Sequence, residues 1–327
     1  MRAVWYECGG VAQDVLQLGE ADVPEPGEGE VRVKVAYSAV NPFDVKKRVN
    51  GRDLAHCKRV IPHVDGSGEI DKVGAGVEKQ RIGERVWLFG AQFGQPHGSC
   101  AEYCVVPSWK AVALPDGVAL EHGACLGIPV VTALESLSAA GPLEGKSVLV
   151  AGGAGRVGAY AVQIARLHGA RVIATASKSK CADVEQLGAE ACIDYKASHL
   201  ESRLRESGGK RGYDLVVESR FASNIALNAR ILACKGVIAT YGVDDDPAPA
   251  IPVVQLVMMN ASCRFVGIFG LSRKNLQSHF ERINQLAGDG KLQHRVGLEA
   301  PLAEIVKAHQ EVQEGKVAGA ALIKVAQ

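Results

Sequence analysis

The sequence predicts an α/β protein, a doubly wound parallel sheet accompanied by a second, β-rich part. Past Pro115, runs of continuous apolar residues alternate with helical stretches, in the order KSVLVAG, RVGAYAVQIARLHG, ARVIATAS, KCADVEQLGA and ACIDY. That alternation marks βαβ units whose strands are buried on both faces. Before Pro115 the texture differs: EVRVKVAYSAV, from Glu30 to Val40, alternates apolar and polar residues as a half-buried strand does. The composition agrees, since 47% hydrophobic and 22% charged residues with 37 Gly exclude disorder and collagen-like repeats.

Taken in order, the first hundred or so residues hold further short strands, GERVWLF and AEYCVVP, punctuated by VPEPGEGE, VGAGV and FGAQFGQPHG. After ACIDY, three more strands are expected at YDLVVES, GVIATYG and CRFVGIF, each read as fully buried. Amphipathic helices such as SRKNLQSHFERINQLAGDG follow, and AALIKVAQ closes the chain as a strand. A length of 327 residues suits two domains.

Charge and cysteine usage narrow the function classes. Lys and Arg number 37 against 36 Asp and Glu, which leaves no whole-protein field for nucleic acid or an acidic membrane. The nine cysteines are scattered, odd in number and free of any CxxC pair, so reduced thiols are expected. MRAVWYECGG reaches Glu7 before any apolar run, and the longest uncharged stretch, 247 to 263, is broken by Pro249 and Pro252. The expectation is a soluble, cytoplasmic protein without a membrane or nucleic-acid partner.

Gly153, Gly155 and Gly158 stand at GxGxxG spacing between the strand 148–151 and a helix whose Val157, Tyr160, Ala161, Ile164, Ala165 and His168 repeat with helical period. This context makes the motif a dinucleotide fingerprint of the Rossmann type. A Cβ at Gly153 is expected to obstruct the turn, at Gly155 to meet the pyrophosphate, and at Gly158 to part helix from strand. Helix-start N–H groups then meet the phosphates.

The end of the second strand decides which nicotinamide cofactor fits. An NAD site places Asp or Glu there, about 20 residues past the glycines, to accept from the ribose 2′-OH. This chain has Ser177, Lys178, Ser179 and Lys180. Hydroxyls and ammonium groups without a carboxylate suit a 2′-phosphate, and NADP(H) is the expected cofactor. The alternative is that these lysines only solvate a helix start.

These residues resemble the zinc-independent quinone oxidoreductases, zeta-crystallin-like members of the medium-chain dehydrogenase/reductase superfamily. The likeness covers nearly the whole chain and rests on VNPFD (40–44), IPHVDGSGEI (61–70), IGERVW (82–87), GSCAEYCVVP (98–107), ACLGIPVVTA (124–133) and the glycine motif. It implies a GroES-like catalytic domain made of residues 1–118 and 268–327, with a Rossmann domain at 119–267 between. It places the pyrophosphate on Ala154, Gly155, Arg156 and Val157, and the 2′-phosphate and adenine near Ser177, Lys180 and Tyr195. Asn224, Gly242 and Val243 resemble residues beneath adenine and ribose; Phe269, Gly270 and Leu271 resemble the nicotinamide wall. Lys46 stands where many relatives carry a cofactor-proximal Tyr.

Zinc separates this group from the alcohol dehydrogenases of the superfamily. The three corresponding ligand positions are Asn41, Val64 and Ile128, and neither an aliphatic side chain nor a neutral amide suits Zn²⁺. The structural-zinc region holds only Cys100 and Cys104, and no metal site is expected. None of the seven tyrosines is followed four residues on by Lys, so the short-chain route to alcohol activation is also missing. An electron-poor acceptor needs less help, because a quinone or α,β-unsaturated carbonyl spreads the arriving charge onto oxygen. The expected pocket is bounded by Asn41, Asp44, Thr132 and the Phe269 segment, with Asn41 either an oxyanion donor or a turn opener before Pro42. Asp44 reads as a structural acceptor. The reading is an NADPH-dependent reductase of quinones or enones. The alternatives are an enoyl-thioester or alkenal reductase, and a non-catalytic NADPH-binding structural or RNA-associated protein. CRFVGIF, at or near a sheet edge, points to a homodimer.

Overall fold

The computed structural model describes residues 1–325 apart from 56, 243, 245 and 247. The chain divides into two compact units, Met1–Ile128 with Lys274–Gln327, and Pro129–Arg273.

The first unit is built on a seven-stranded sheet around the long strand Glu30–Val40. Its alternation sends Val31, Val33 and Val35 into the core, the period-two burial of a half-covered sheet. Asp65–Val73 pairs antiparallel on one side of this strand and Ala320–Lys324 on the other, which brings the end of the chain back into the sheet formed by its start. The Trp87 indole N–H donates to Asn284 Oδ1 at 2.9 Å, and Phe280 meets the same ring edge-on at 5.1 Å. Large aromatics packed this way fix the returning segment firmly.

One element departs from the expectation of a purely β-rich start. Pro42–Asn50 is a helix, opened by Pro at its first turn and closed by Gly51 at φ 60°. Proline needs no N–H donor at a helix start, and glycine takes the left-handed cap without a Cβ penalty.

The second unit carries six parallel strands in the spatial order 191–194, 171–176, 147–150, 213–218, 232–240 and 262–265. Numbered along the chain this is 3-2-1-4-5-6, and the order reverses between Ser147–Val150 and Tyr213–Glu218. Ligands bind outside the carboxyl ends of strands at such a switch point. Tyr213–Glu218 is almost wholly buried, as expected. CRFVGIF is not: Ser262–Phe265 is an edge strand with all four residues exposed. Its place at the sheet edge agrees with the sequence, and only its burial does not. Among the described residues no helix is long and apolar enough to cross a membrane.

Candidate active site

The glycine loop lies at the switch point, between Ser147–Val150 and the helix Arg156–Leu167. The turn itself falls to Gly152, at φ 76°, a residue outside the GxGxxG motif. Gly152 N–H donates to Thr175 Oγ1 at 3.2 Å and Gly153 N–H to Thr175 O at 2.8 Å, tying the loop to the second strand.

Gly153 acts differently from the expectation. A Cβ there would stand 2.9 Å from Ala174 Cβ and from a Val184 methyl, so the position is held small by packing rather than by the turn. At Gly158 a Cβ would stand 2.2 Å from Gly152 O, which does set how closely the helix approaches the loop. At Gly155 it would meet only Gly152 O at 3.2 Å, leaving the space before it open. The N–H groups of Arg156, Val157 and Gly158 precede the first intrahelical bond, Ala159 N–H to Gly155 O at 2.8 Å. Together with the helix dipole they make an anion-binding end beside Ala154.

Ser177, Lys178 and Lys180 follow Arg171–Ala176 directly, Lys178 exposed and Ser177 and Lys180 half-buried. Tyr195 stands just past the neighbouring strand, 50% exposed, its N–H on Ala176 O at 3.1 Å. These four residues therefore gather at the ends of adjacent strands. A Cβ at Gly242 would stand 1.9 Å from Ser219 O, so Gly242 lets two strand ends approach. Asn224 spends its amide N–H groups on Glu218, 3.2 Å from each oxygen, and that buried carboxylate also takes Asn228 Nδ2 at 2.8 Å. Phe269 and Gly270 lie in the 3₁₀ turn Ile268–Gly270, with Leu271 next to it. Val243 is outside the described residues.

Asn41 and Lys46 belong to the first unit and Thr132 to the second. Asn41 is both N-cap of the helix Pro42–Asn50 and one side of a buried hub. Its Nδ2 donates to Asp65 Oδ2 at 3.0 Å, and the Ile128 N–H donates to the same carboxylate at 3.0 Å. Gly127 is obligatory beside it, because a Cβ would fall 2.1 Å from Asp65 Oδ1. Asn41 N–H donates to Asp44 Oδ2 at 2.7 Å, closing one arm of a capping box. Burial lifts the Asp44 carboxyl from 3.8 up to about 7, opposed by the Asn41 N–H and reinforced by the Asp65 charge. Asp44 Oδ1 is buried with no hydrogen-bond partner among the described residues, a setting that favours the neutral acid. Lys46 is exposed on the same helix, and Thr132 is buried, its carbonyl accepting from Ser136.

The donor chemistry does not fit zinc. At the three positions that correspond to ligands, Asn41 turns an N–H toward Asp65, and Val64 and Ile128 have no donor atoms in their side chains. Burial pushes the Cys104 thiol up to about 12 and raises Cys100 as well, holding both protonated. His63 Nδ1 is hydrogen-bonded with Ser38 Oγ at 2.7 Å and His63 Nε2 with His309 Nε2 at 2.9 Å, a buried pair already satisfied on His63. No step of the chemistry is therefore routed through a metal.

Asp65, Gly152, Thr175, Ser219 and Glu218 escaped the sequence reading. Gly152 was visible, being one residue before the motif at the end of its strand; the others carry no spacing signal.

The chain matches the model of the alcohol dehydrogenase GroES-like domain over residues 27–116 and that of the zinc-binding dehydrogenases over 157–285. It is 29% identical to the quinone oxidoreductase of Rattus norvegicus, over 95% of this chain and 94% of that one. It is 32% identical to the trans-enoyl reductase tazE of Aspergillus terreus, over 60% of this chain and 70% of that one. The structure of a mycobacterial protein complexed with NADPH superposes with a TM-score of 0.88 at 25% identity, covering 99% of this chain and 100% of that one. The chain belongs to the quinone oxidoreductase branch of the medium-chain dehydrogenase/reductase superfamily and is an oxidoreductase dependent on a nicotinamide cofactor.

Proposed function

We propose that the protein takes NADPH and reduces a quinone or another α,β-unsaturated carbonyl without metal assistance. The observation that carries the cofactor choice is the end of the second strand, where Ser177, Lys178 and Lys180 stand with no carboxylate among residues 177–180. An NADPH complex of a structural relative supports the same choice. When bound, the nicotinamide supplies a hydride. The first turn of the helix Arg156–Leu167 holds the pyrophosphate, Gly155 admits it to the backbone, and Lys178 and Lys180 neutralise the 2′-phosphate, with Tyr195 beside the adenine. Asn224 and Gly242 shape the strand ends beneath the adenosine, and Phe269, Gly270 and Leu271 wall the nicotinamide. Asn41, oriented by Asp65, is proposed as the hydrogen-bond donor that the first unit supplies, and Thr132 as a polar group that the second supplies. Solvent supplies the proton that completes the product. The test is kcat/KM for NADPH and NADH on quinones, enones, alkenals and enoyl-CoA esters, with and without a chelator. Preference for NADH overturns the cofactor assignment, and activity abolished by chelation and restored by Zn²⁺ overturns the metal-free mechanism.

Likeness to a trans-enoyl reductase favours one alternative, reduction of an enoyl thioester on the same scaffold; turnover of enoyl-CoA but not of quinones would select it. A homodimer formed across the edge strand Ser262–Phe265 is also proposed. Val254, Val257, Met258 and Phe265 are 67 to 78% exposed beside that edge, and an apolar edge calls for cover. Val254→Asp with Met258→Asp should give a monomer in sedimentation; an unchanged mass overturns this interface. We place the protein in a reducing, cytoplasmic setting on its cysteine pattern, nine residues that are odd in number, scattered and without a CxxC pair.

A further inference from the structure

Cys181 and Cys192 form a contact that the reaction does not use. Cys181 opens the helix Cys181–Gln186, and Cys192 lies in the strand Ala191–Asp194, at the edge of the six-stranded sheet. Glu185, one helical turn beyond Cys181, accepts the Cys192 N–H at 3.0 Å. Residues four apart share a helix face, so the face that holds Glu185 against Cys192 carries Cys181 as well. The Cys181 thiol stands beside that of Cys192 and helps hold its proton, and both residues are partly exposed. Among the nine cysteines, Cys100, Cys104 and Cys125 are shut in the core.

We propose that Cys181 and Cys192 are a reversible dithiol, oxidised to a disulfide by a hydroperoxide, and that the disulfide weakens the hold on NADPH. The second half rests on the assignment of Lys178 and Lys180 to the 2′-phosphate. Burial, then the Cys181 contact and the charges of Glu185 and Asp194, raise the Cys192 thiol, which keeps its proton. Cys181 therefore attacks. Its proton leaves, its sulfur takes one peroxide oxygen as the O–O bond breaks, and the products are a sulfenic acid and water from hydrogen peroxide, or the alcohol from an organic hydroperoxide. The Cys192 sulfur next displaces that oxygen, and its own proton leaves with it as water. Two electrons pass from the thiols to the peroxide and one S–S bond forms. Two neighbouring thiol sulfurs must close to about 2 Å in a disulfide. Cys181 directly follows Lys180, so closure draws the Lys178–Lys180 turn with it. A charge-assisted contact of about 2.8 Å does not survive such a shift unchanged.

The test treats the full-length protein with hydrogen peroxide, alkylates and digests it, and separately titrates NADPH and NADH by fluorescence. The expected results are a peptide pair joined through Cys181 and Cys192, reversed by dithiothreitol, and NADPH affinity lowered about tenfold, the worth of one charge-assisted hydrogen bond, with NADH unchanged. In Cys192→Ser the joined peptide should vanish and dimedone should trap Cys181, while NADPH binding stays insensitive to peroxide. Absence of the joined peptide in the wild type overturns the dithiol. A joined peptide with unaltered NADPH affinity overturns the switch. A reduced protein that does not distinguish NADPH from NADH instead overturns the 2′-phosphate assignment, and the consequence for NADPH with it.

Discussion

Asn41 Nδ2 donates to Asp65 Oδ2 at 3.0 Å inside the first unit, and the Ile128 N–H reaches the same carboxylate at 3.0 Å. Two of the three positions that the resemblance sets against zinc ligands are thus joined by a side chain. The carboxylate also caps the helix Ile128–Ser138, where a negative charge is favourable.

Asp65→Ala takes the carboxylate acceptor away from the buried Asn41 amide and from the half-buried Ile128 N–H. Each such group costs about 1–3 kcal/mol, so urea unfolding should show about 3 kcal/mol less stability than the wild type. A loss under about 0.5 kcal/mol, the ordinary scale of a neutral surface change, would show that the hub is not holding these elements.

Asp44 sets a pH dependence whose sign follows from its surroundings. Its carboxyl titrates at about 7 in the fold against 3.8 for the ordinary group. Between these values the folded chain keeps a proton that the unfolded chain has lost. The group's contribution to stability is therefore fullest below 3.8 and declines as pH rises to about 7, by about 1.4 kcal/mol per unit. Asp44→Asn mimics the neutral acid and removes this decline. Unfolding midpoints from pH 5 to 7 should show the variant gaining about 2 kcal/mol on the wild type; a constant difference across that range contradicts the assignment.

The parts of this molecule legible in the sequence are those that repeat locally. Val31, Val33 and Val35 announce a strand by alternation, and Tyr160, Ala161, Ile164 and Ala165 announce a helix against a sheet, so the dinucleotide loop could be placed between its two elements. What stayed hidden depends on chain segments meeting. Asp65 is one acid in IPHVDGSGEI until Asn41 and Ile128 close on it. His63 and His309, 246 residues apart, carry no mutual signal. The strand Ser262–Phe265 lies at the sheet edge where the sequence puts it, but it is exposed rather than buried, because composition does not say whether anything covers an edge. Helix Pro42–Asn50 was missed because nine residues led by Asn-Pro also spell a turn.

Two glycines of the loop separate folding from cofactor binding. Gly158→Ala puts a methyl 2.2 Å from Gly152 O, and backbone cannot yield as a side-chain tip can. Overpacking of this kind costs about 1–3 kcal/mol, so thermal stability should fall along with activity. Gly155→Ala meets only one atom, at 3.2 Å, and should melt close to the wild type. Its methyl occupies the proposed path of the pyrophosphate, so KM for NADPH should rise about tenfold, the worth of a displaced charge-assisted contact. Equal melting losses in the two variants would contradict this division of labour.

Replacing Lys178 and Lys180 together by Glu tests the cofactor assignment most directly. Lys178 is exposed and Lys180 half-buried, so each bond to a phosphate is screened by water and is worth less than a buried pair. The reversal, however, turns two attractions into two repulsions against a group carrying nearly two negative charges. The product should be a loss of about thirtyfold in kcat/KM for NADPH, roughly 2 kcal/mol. NADH has no 2′-phosphate and should change by less than about twofold. Salt discriminates further: surface charges separated by more than a Debye length, about 10 Å at 0.1 M, are largely screened. The deficit with NADPH should therefore shrink as ionic strength rises while NADH kinetics stay level. Equal losses with both cofactors, or a deficit indifferent to salt, would mean that these lysines do not face the 2′-phosphate.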